Sequence, residues 1–405
     1  MRMASLLKWL CVLAGGICMS AYAAAPVVSG VSAAQRADTN LVDITYDVSS
    51  PSNSLSVTVT VSTNNGVTYD LPATSFSGAG YGSGVTPGTG KQIVWDVGAD
   101  WYGQYSTSVW FRITADDSGV PAGMVLIPAG SFTMGDTFSE GDSNELPTHS
   151  VSISAFYMDK YEVSKALWDL VYQWATNNGY AFSYAGSGKA STHPVRAISW
   201  YDCVRWCNAR SEKDGLTPCY YTSAAQSAVY RTNSTDIASD CVKWSTNGYR
   251  LPTEAEWEKA ARGGVAGHRF PWSDADTITH DRANYYSTNS YSYDVSSTRG
   301  YHPTYKTGAS PYTSPVGVFA ANGYGLYSMA GNVFEWCWDW HDSDWYNKVG
   351  ATQADTRGPS SGASYRVVRS GRSGGNAFYC RSADRFGCTP DWGSDNYGFR
   401  CARSQ

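Results

Sequence analysis

Charged residues are scarce in this chain, and it has no surplus of positive charge. Only 16% of the 405 residues are Asp, Glu, Lys or Arg, against roughly 25% in typical soluble proteins. Lys and Arg number 30 and Asp and Glu number 35, which gives a net charge of −5. Binding nucleic acid through its phosphates requires many cationic side chains. The composition therefore argues against a nucleic-acid partner, and its 42% of hydrophobic residues excludes a disordered chain.

Long hydrophobic runs are also missing. Nothing after the first residues approaches the roughly 18 consecutive apolar residues of a membrane-spanning helix, so we expect no membrane span. The short apolar run Leu10–Met19 follows the basic residues Arg2 and Lys8 and precedes Ala21-Tyr22-Ala23, a small-x-small cleavage pattern. Residues 1–23 are therefore predicted to be a signal peptide. The mature chain is expected to be secreted or extracytoplasmic, in a periplasm or at a cell surface.

The chain has ten cysteines but lacks the paired C-x-x-C spacing that is typical of structural zinc sites. Cys11 and Cys18 fall within the predicted signal peptide. The remaining eight all follow residue 200: Cys203, Cys207, Cys219, Cys241, Cys337, Cys380, Cys388 and Cys401. An even number of cysteines in an exported chain without C-x-x-C spacing favours disulfides over a structural metal.

The length allows two or three domains of about 150 residues. Residues 26–117 are rich in Thr, Val, Ser and Gly, and alternating runs such as 55–61 predict strands. Asn64-Asn65-Gly66 predicts a hairpin turn, and Trp95 and Trp110 are candidate core aromatics. We interpret this part as an all-β sandwich of the immunoglobulin or fibronectin kind. Without a catalytic constellation, it is expected to serve in spacing or adhesion.

Three helices are predicted in the rest of the chain, which otherwise has little periodicity. They begin after Ser164, Ser199 and Thr253, and the last has Glu256 at the capping-box position and Gly263-Gly264 as a stop. The apolar residues at helical spacing are Leu167, Leu170, Val171 and Trp174 after the first cap, and Trp200, Cys203, Val204 and Cys207 after the second. The stretch from Gly264 to Gly362 must be held by loops, disulfides or bound cations.

Six motifs carry a resemblance to a known family. They are Met124-Val-Leu-Ile-Pro-Ala-Gly-Ser-Phe-Thr-Met-Gly135, Tyr157-Met-Asp-Lys-Tyr-Glu-Val163, His193-Pro-Val-Arg-Ala-Ile-Ser-Trp200, Asn247-Gly-Tyr-Arg-Leu-Pro-Thr-Glu-Ala-Glu-Trp257, Gly325-Leu326 with Gly331-Asn-Val-Phe-Glu-Trp336, and Asn396-Tyr-Gly-Phe-Arg400. In this order they resemble the sulfatase-modifying factor family, which includes the formylglycine-generating enzymes. The resemblance covers residues 124–402 and implies a C-type-lectin-like fold. With the N-terminal sandwich, the expected class is α+β.

For the enzymes of this family, the resemblance implies oxidation of a sulfatase cysteine to formylglycine by oxygen, with two cysteines holding copper(I). That pair has the spacing C-x-x-x-x-C and follows Gly-Gly-Ser. Here Ser370-Gly371-Arg372 stands in place of Gly-Gly-Ser, and Cys380 is followed by Cys388 eight positions later. The catalytic pattern is absent as written. Cys380 and Cys388 remain weak catalytic candidates, as a displaced copper pair, against a structural disulfide or buried thiols.

Two disulfides are expected. The resemblance implies one between Cys207, on the second helix, and Cys401. The other is suggested by sequence alone, because Cys219 and Cys241 flank a 21-residue polar loop. The pairings of Cys203, Cys337, Cys380 and Cys388 stay open.

Calcium binding is a further implication of the resemblance. Calcium prefers oxygen ligands and can hold in place backbone that forms no strand-to-strand hydrogen bonds. One site would use Ser328, Gly331, Val333 and Glu335, mainly through backbone carbonyls, with Glu335 giving charge; Ser328 departs from the family's Asn or Asp. A second would use Asn284, Tyr285, Asp294 and Ser296. The alternative for Glu335 is a salt bridge or a cap.

The C-terminal segment suggests a binding function. It mixes aromatic and small polar side chains, as antibody paratopes do: Phe378, Tyr379, Asp384, Phe386, Trp392, Ser394, Asp395 and Tyr397. Simple packing of these residues is the alternative. Three functions follow: a secreted non-catalytic module that binds a protein or glycan, including the hypervariable binding proteins of diversity-generating retroelements; a formylglycine-generating oxidase; and a structural cell-surface module. We favour the first.

Overall fold

The structure is a computed structural model that describes residues 26–50, 55–104, 106, 108–116, 120–360 and 364–405. The predicted signal peptide, residues 1–23, lies outside the described residues. The chain divides into two compact units, Met1–Ala122 and Gly123–Gln405. Within the described ranges, no helix has the length and apolar character needed to cross a bilayer.

The first unit consists of strands, as its alternating sequence predicts, and one helical turn. The elements are β1 (Val27–Gln35), β2 (Leu41–Ser49), β3 (Leu55–Ser62), β4 (Phe76–Ser77), β5 (Gly82–Val85), β6 (Gly88–Asp96), α1 (Val97–Asp100) and β7 (Trp110–Asp116). They form two antiparallel sheets, with strand orders β1-β2-β6-β4 and β5-β3-β7. Immunoglobulin or fibronectin kinship stays a prediction.

Both sheets of the first unit contribute to one hydrophobic core. Ile44 and Trp95 from one sheet pack in the same cluster as Val57 from the other. Trp95 is 1% exposed, as predicted for a core aromatic, and its indole N–H donates to Asp100 at 2.7 Å. Trp110, predicted as a second core aromatic, is only half-buried, because it lies at the end of β7.

A turn is present at Asn64-Asn65-Gly66, where Asn65 and Gly66 have φ of 60° and 78°. Such values are favourable for Asn and Gly and strained for most residues. No second strand follows at once. The chain instead returns to a single antiparallel bridge between Val61 and Leu71, so the predicted turn is confirmed but not a two-stranded hairpin.

In its described residues, the second unit contains nine short strands and three α-helices, and it is mixed α and β with little regular structure. Its strands are β8 (Met124–Ile127), β9 (Gly130–Met134), β10 (His149–Ile153), β11 (Phe156–Asp159), β12 (Phe334–Trp340), β13 (Arg366–Arg369), β14 (Phe386–Cys388), β15 (Tyr397–Gly398) and β16 (Ala402–Ser404). They form three sheets, with orders β10-β9, β16-β11-β8 and β14-β13-β12-β15.

The helices are α2 (Lys165–Asn177), α3 (Trp200–Lys213) and α4 (Glu254–Ala261). All three predicted caps are confirmed. Ser164 accepts from the Leu167 N–H, and Ser199 and Thr253 each form a capping box with the acidic residue three positions later. Two glycines with positive φ follow α4, as predicted for its stop.

Burial of the helices follows the sequence less closely. On α3 all four predicted apolar residues are fully buried. On α2 the buried residues are Trp168, Val171 and Ala175, whereas Leu170 is 46% exposed. The buried face of α2 instead includes Trp168, whose indole ring is larger than the Leu170 side chain and stacks on Trp206 of α3 with centroids 5.8 Å apart. The face assigned to α2 from sequence was therefore wrong in part.

A long irregular stretch separates α4 from β12. Its end is fixed by a network centred on Asn332, which donates to Glu162 at 2.9 Å and accepts from Asn284 and from the Ser314 N–H. Buried polar groups need such partners because water cannot reach them. Side-chain hydrogen bonds therefore fix this end of the stretch, for which loops, disulfides or bound cations were predicted.

Candidate ligand-binding groove

A wide groove lies at the edge of the sheet β14-β13-β12-β15. Its cavity has a volume of about 1080 Å³ and is lined by residues from four separate stretches of the second unit. These are 142–144 near the start of the unit, 341–348 after β12, 359–365 before β13, and 385–392 around β14. The residues of 359–365 that line it, Pro359, Ser364 and Tyr365, all belong to the described part of the chain.

Three aromatic side chains on the groove wall face solvent. Tyr365, Phe386 and Trp392 are 49%, 47% and 55% exposed, respectively. Below them, Phe334 stacks on Phe386, with centroids 6.4 Å apart, and Tyr397 contacts Trp392 at 6.0 Å. Exposed aromatic groups supported from beneath by other rings offer large, rigid contact area to a ligand.

The polar side chains of the groove are already held in place. Arg385 is buried, donates twice to Glu254 at 2.7 Å, and also donates to the carbonyls of Asn144 and Asp342. Lys348 forms an ion pair with Asp342. Burial, with Arg385 nearby, lowers the pKa of His341, so this ring is neutral at pH 7. Among the charged side chains that line the groove, Arg385, Lys348 and Asp342 are thus engaged in ion pairs, whereas Asp142 is exposed and forms no ion pair within the described residues.

The sequence resembles a known family along most of its length. The family described as "Sulfatase-modifying factor enzyme 1-like domain" matches residues 112–405. The chain belongs to the sulfatase-modifying factor family. The formylglycine-generating enzyme of Thermomonospora curvata is 34% identical over 312 residues, which cover 70% of this chain and 94% of that enzyme.

Solved structures agree with this family assignment. Treponema denticola variable protein 1 is 29% identical with a TM-score of 0.51, over 70% of this chain and 95% of its own. PvdO from Pseudomonas aeruginosa is 27% identical, also with a TM-score of 0.51, over 70% of this chain and 94% of its own. The C-type-lectin-like fold expected for the second unit is confirmed by these neighbours.

The eight residues predicted to bind a ligand lie at different depths in this sulfatase-modifying factor domain. Phe386 and Trp392 line the groove, and Tyr397 is buried beneath them. Phe378 and Tyr379 are half-buried, and their rings contact Tyr291 and Phe334. Ser394 lies in the same loop as Asp395, which pairs with Arg196.

Asp384 is not on the surface at all. It is 2% exposed, and burial raises the pKa of its carboxyl group to about 7. This burial argues against the predicted contact between Asp384 and a ligand. The aromatic position of Tyr365 and the polar positions of Asn144 and His341 were missed, because they come from stretches far from residue 386 in sequence.

The two weak catalytic candidates lie in different surroundings. Cys380 is buried in a core cluster with Phe270 and Tyr285. Cys388 is buried and lines the groove. Burial raises the pKa of both thiols, so both are protonated at neutral pH. Copper(I) needs neighbouring thiolates. The arrangement does not fit that ion.

The eight described cysteines are all separate thiols. The sulfurs of Cys207 and Cys401 lie 3.7 Å apart, so small side-chain rotations would allow a bond of about 2 Å. This bridge stays a prediction. The local bridge between Cys219 and Cys241 also stays a prediction: Cys219 is buried, and Cys241 is half-buried beside Asp240. The backbones of the two segments are joined by hydrogen bonds: the Cys219 carbonyl accepts from the Lys243 N–H, and the Cys241 carbonyl accepts from the Tyr221 N–H.

The residues of the first predicted calcium site make hydrogen bonds within the protein. Both oxygens of Glu335 accept from the Arg400 guanidinium at 2.7 Å, and one also accepts from Trp257. The carbonyls of Ser328 and Gly331 accept from the Ser370 hydroxyl. Arg400 supplies the positive charge that calcium would bring. As arranged, these residues do not fit the ion, and the alternative of a salt bridge for Glu335 is the observed one.

The second set is likewise satisfied by hydrogen bonds. Asp294 accepts from the Tyr285 hydroxyl at 2.6 Å, from the Ser296 N–H at 3.4 Å and from Arg299 at 3.2 Å. Asn284 donates to the carbonyl of Tyr312. The structure thus brings Tyr285, Asp294 and Ser296 together, but as a donor–acceptor cluster. Among the described residues, no three His, Cys, Asp or Glu side chains form a group able to hold a metal.

Proposed function

We propose that this sulfatase-modifying factor protein is a secreted, non-catalytic binding protein that takes a protein or glycan ligand in the groove. The observation that carries the proposal is the trio of exposed aromatic side chains, Tyr365, Phe386 and Trp392, on one wide groove. Concave sites with rigid aromatic walls and a few fixed polar groups are typical of ligand binding. In this proposal the first unit is an immunoglobulin-like spacer.

Two further observations support binding rather than oxidation. Cys380 lies in a buried core cluster, whereas Cys388 lines the groove, so the two thiols do not share one site. One structural neighbour is named a variable protein, which is compatible with a surface whose side chains change between relatives. A formylglycine-generating oxidase is the second candidate, because enzymes of that name share 34% identity with the chain.

The groove makes a direct prediction. The double variant Phe386→Ser/Trp392→Ala should lose ligands that the parent protein binds on an array of defined glycans or from a displayed peptide library. Removing two exposed contacts of this size costs binding but little stability, because neither ring is in the core. The control Tyr102→Ala removes an aromatic side chain that is 84% exposed in the first unit, and should keep every ligand. Ligands that persist on the double variant would contradict the proposal.

A second prediction separates binding from oxidation. The copper-loaded protein should leave a Cys-x-Pro-x-Arg peptide unmodified in the presence of oxygen, as followed by mass spectrometry. The Thermomonospora curvata enzyme serves as the positive control. Conversion of the peptide that disappears in Cys380→Ser would establish the oxidase instead.

A further inference from the structure

A second, smaller cavity of about 400 Å³ lies beside the groove and shares Pro359 with it. Three tryptophans line it: Trp338 and Trp340 at the end of β12, and Trp345 just beyond. The segment 350–360 forms the opposite side. The volume falls within the usual range for a small-molecule site, roughly 300–1,000 Å³.

The tryptophan wall is rigid. Trp338 contacts Trp200 at 5.5 Å, Tyr220 at 5.7 Å and Trp244 at 5.3 Å between centroids. At Gly350, a Cβ atom would collide with the ring of Trp345, so the segment approaches this ring as closely as glycine allows. Rings fixed in this way present flat apolar faces at little entropic cost.

Two arginines beside the cavity form no ion pair with any described Asp or Glu. Arg357 lines the cavity, is exposed, and stacks over Trp244 at 4.2 Å; it forms no ion pair within the described residues. Arg366 lies behind the wall, 3.5 Å from the Trp340 ring centroid, and is fully buried. It donates to the Trp338 carbonyl at 2.7 Å, while its Nε and Nη2 have no partner.

The acidic groups nearby do not neutralise these arginines. Asp355 accepts from the N–H and hydroxyl of Ser154 at 2.6 and 2.7 Å. Asp236 accepts from the Tyr201 hydroxyl. Asp339 accepts from the Glu254 N–H at 2.6 Å, and burial, together with the charge of Glu254, raises the pKa of its carboxyl group well above its usual value. The cavity therefore combines aromatic walls with unpaired positive charge.

We propose that this cavity is a second binding site and that it takes a sugar carrying one carboxylate, such as a uronic acid. The apolar face of a pyranose ring would stack on Trp340 or Trp345. The planar guanidinium of Arg357 would bind the carboxylate through two N–H groups, the geometry in which arginine binds carboxylates best. A single exposed cation suits a monoanion, whereas a polyphosphate chain needs several.

The test is a titration of the full chain with methyl glucuronide, followed by tryptophan fluorescence and by calorimetry. Saturable binding is expected, at least about tenfold tighter than that of the neutral methyl glucoside, because only the glucuronide can form a charge-assisted pair with Arg357. Arg357→Gln should weaken glucuronide binding about tenfold or more. The matched control is Arg112→Gln, which removes an exposed arginine stacked on Tyr69 at 3.8 Å in the first unit and should change nothing.

Any of four results would overturn this proposal. The first is absence of glucuronide binding, and the second is equal binding of glucuronide and glucoside. The third is full glucuronide affinity in Arg357→Gln, and the fourth is equally tight binding of benzoate, which has the carboxylate but no sugar ring. The groove variant Phe386→Ser/Trp392→Ala should bind glucuronide normally, so failure of this cavity and failure of the groove can be told apart.

Discussion

Arg369→Met should lower the free energy of unfolding of the second unit by about 3–5 kcal/mol. Arg369 is fully buried and donates to Glu254 at 3.1 Å and to Glu258 at 2.7 Å, as well as to the carbonyl of Ser382. Burial alone would raise the pKa of Glu258, but Arg262 and Arg369 hold it below its usual value. Methionine fills much of the same space but leaves one oxygen of a buried carboxylate without a donor.

The matched control is Arg366→Met, a second buried arginine on the same strand. No carboxylate pairs with Arg366 in the described structure, and burial lowers its pKa to about 9. Its removal leaves no orphaned anion, so its stability should stay unchanged or rise. Denaturant unfolding followed by near-ultraviolet circular dichroism compares the two. Similar losses in both variants would show that packing of the arginine stem, not ion pairing, holds this strand.

Asp384→Asn should stabilise the protein at pH 8 and leave it unchanged near pH 4. In the folded protein, burial raises the pKa of Asp384 from 3.8 to about 7, although Arg381 opposes the shift. Between these two pH values the unfolded chain releases the proton and the folded chain keeps it, so the parent protein loses stability as pH rises. The full effect is at most about 4 kcal/mol, at roughly 1.4 kcal/mol per pKa unit. Asparagine does not titrate and removes this loss.

The measurement is the free energy of unfolding of both proteins from pH 4 to pH 8. The difference in free energy of unfolding between Asp384→Asn and the parent protein should increase with pH and level off above pH 7. A difference that is constant with pH would mean that Asp384 is ionised throughout and is balanced by Arg381, whose guanidinium lies 3.8 Å from it.

Local signals in the sequence predicted local structure well. Ser164, Ser199 and Thr253 begin helices in the structure because a cap and its partner are three residues apart, and no tertiary contact is needed to place them. The face of α2 was harder to predict. Leu170 and Trp168 both fit a helical repeat, and the choice between them depends on Trp206, which lies on another helix.

The groove could be predicted only in part. Phe386 and Trp392 were found from their composition and their place in one segment. Tyr365 and His341 were not, because the groove forms where β13, β14 and the loop after β12 meet, and that meeting is a tertiary fact. The same limit applies to Glu335. Its motif fits a cation site, but the residue that neutralises it, Arg400, lies 65 positions away.

The buried ion pairs around the groove have a consequence for how this protein can evolve. Arg381 is tied to Glu145 and Arg385 to Glu254, each by two hydrogen bonds of 2.7 Å. These anchors fix the path of the backbone just before Phe386, whose side chain takes no part in them. Exposed positions can therefore be exchanged with little loss of folding. In the binding function proposed above, selection for a new ligand and selection for a stable scaffold would then act on different residues.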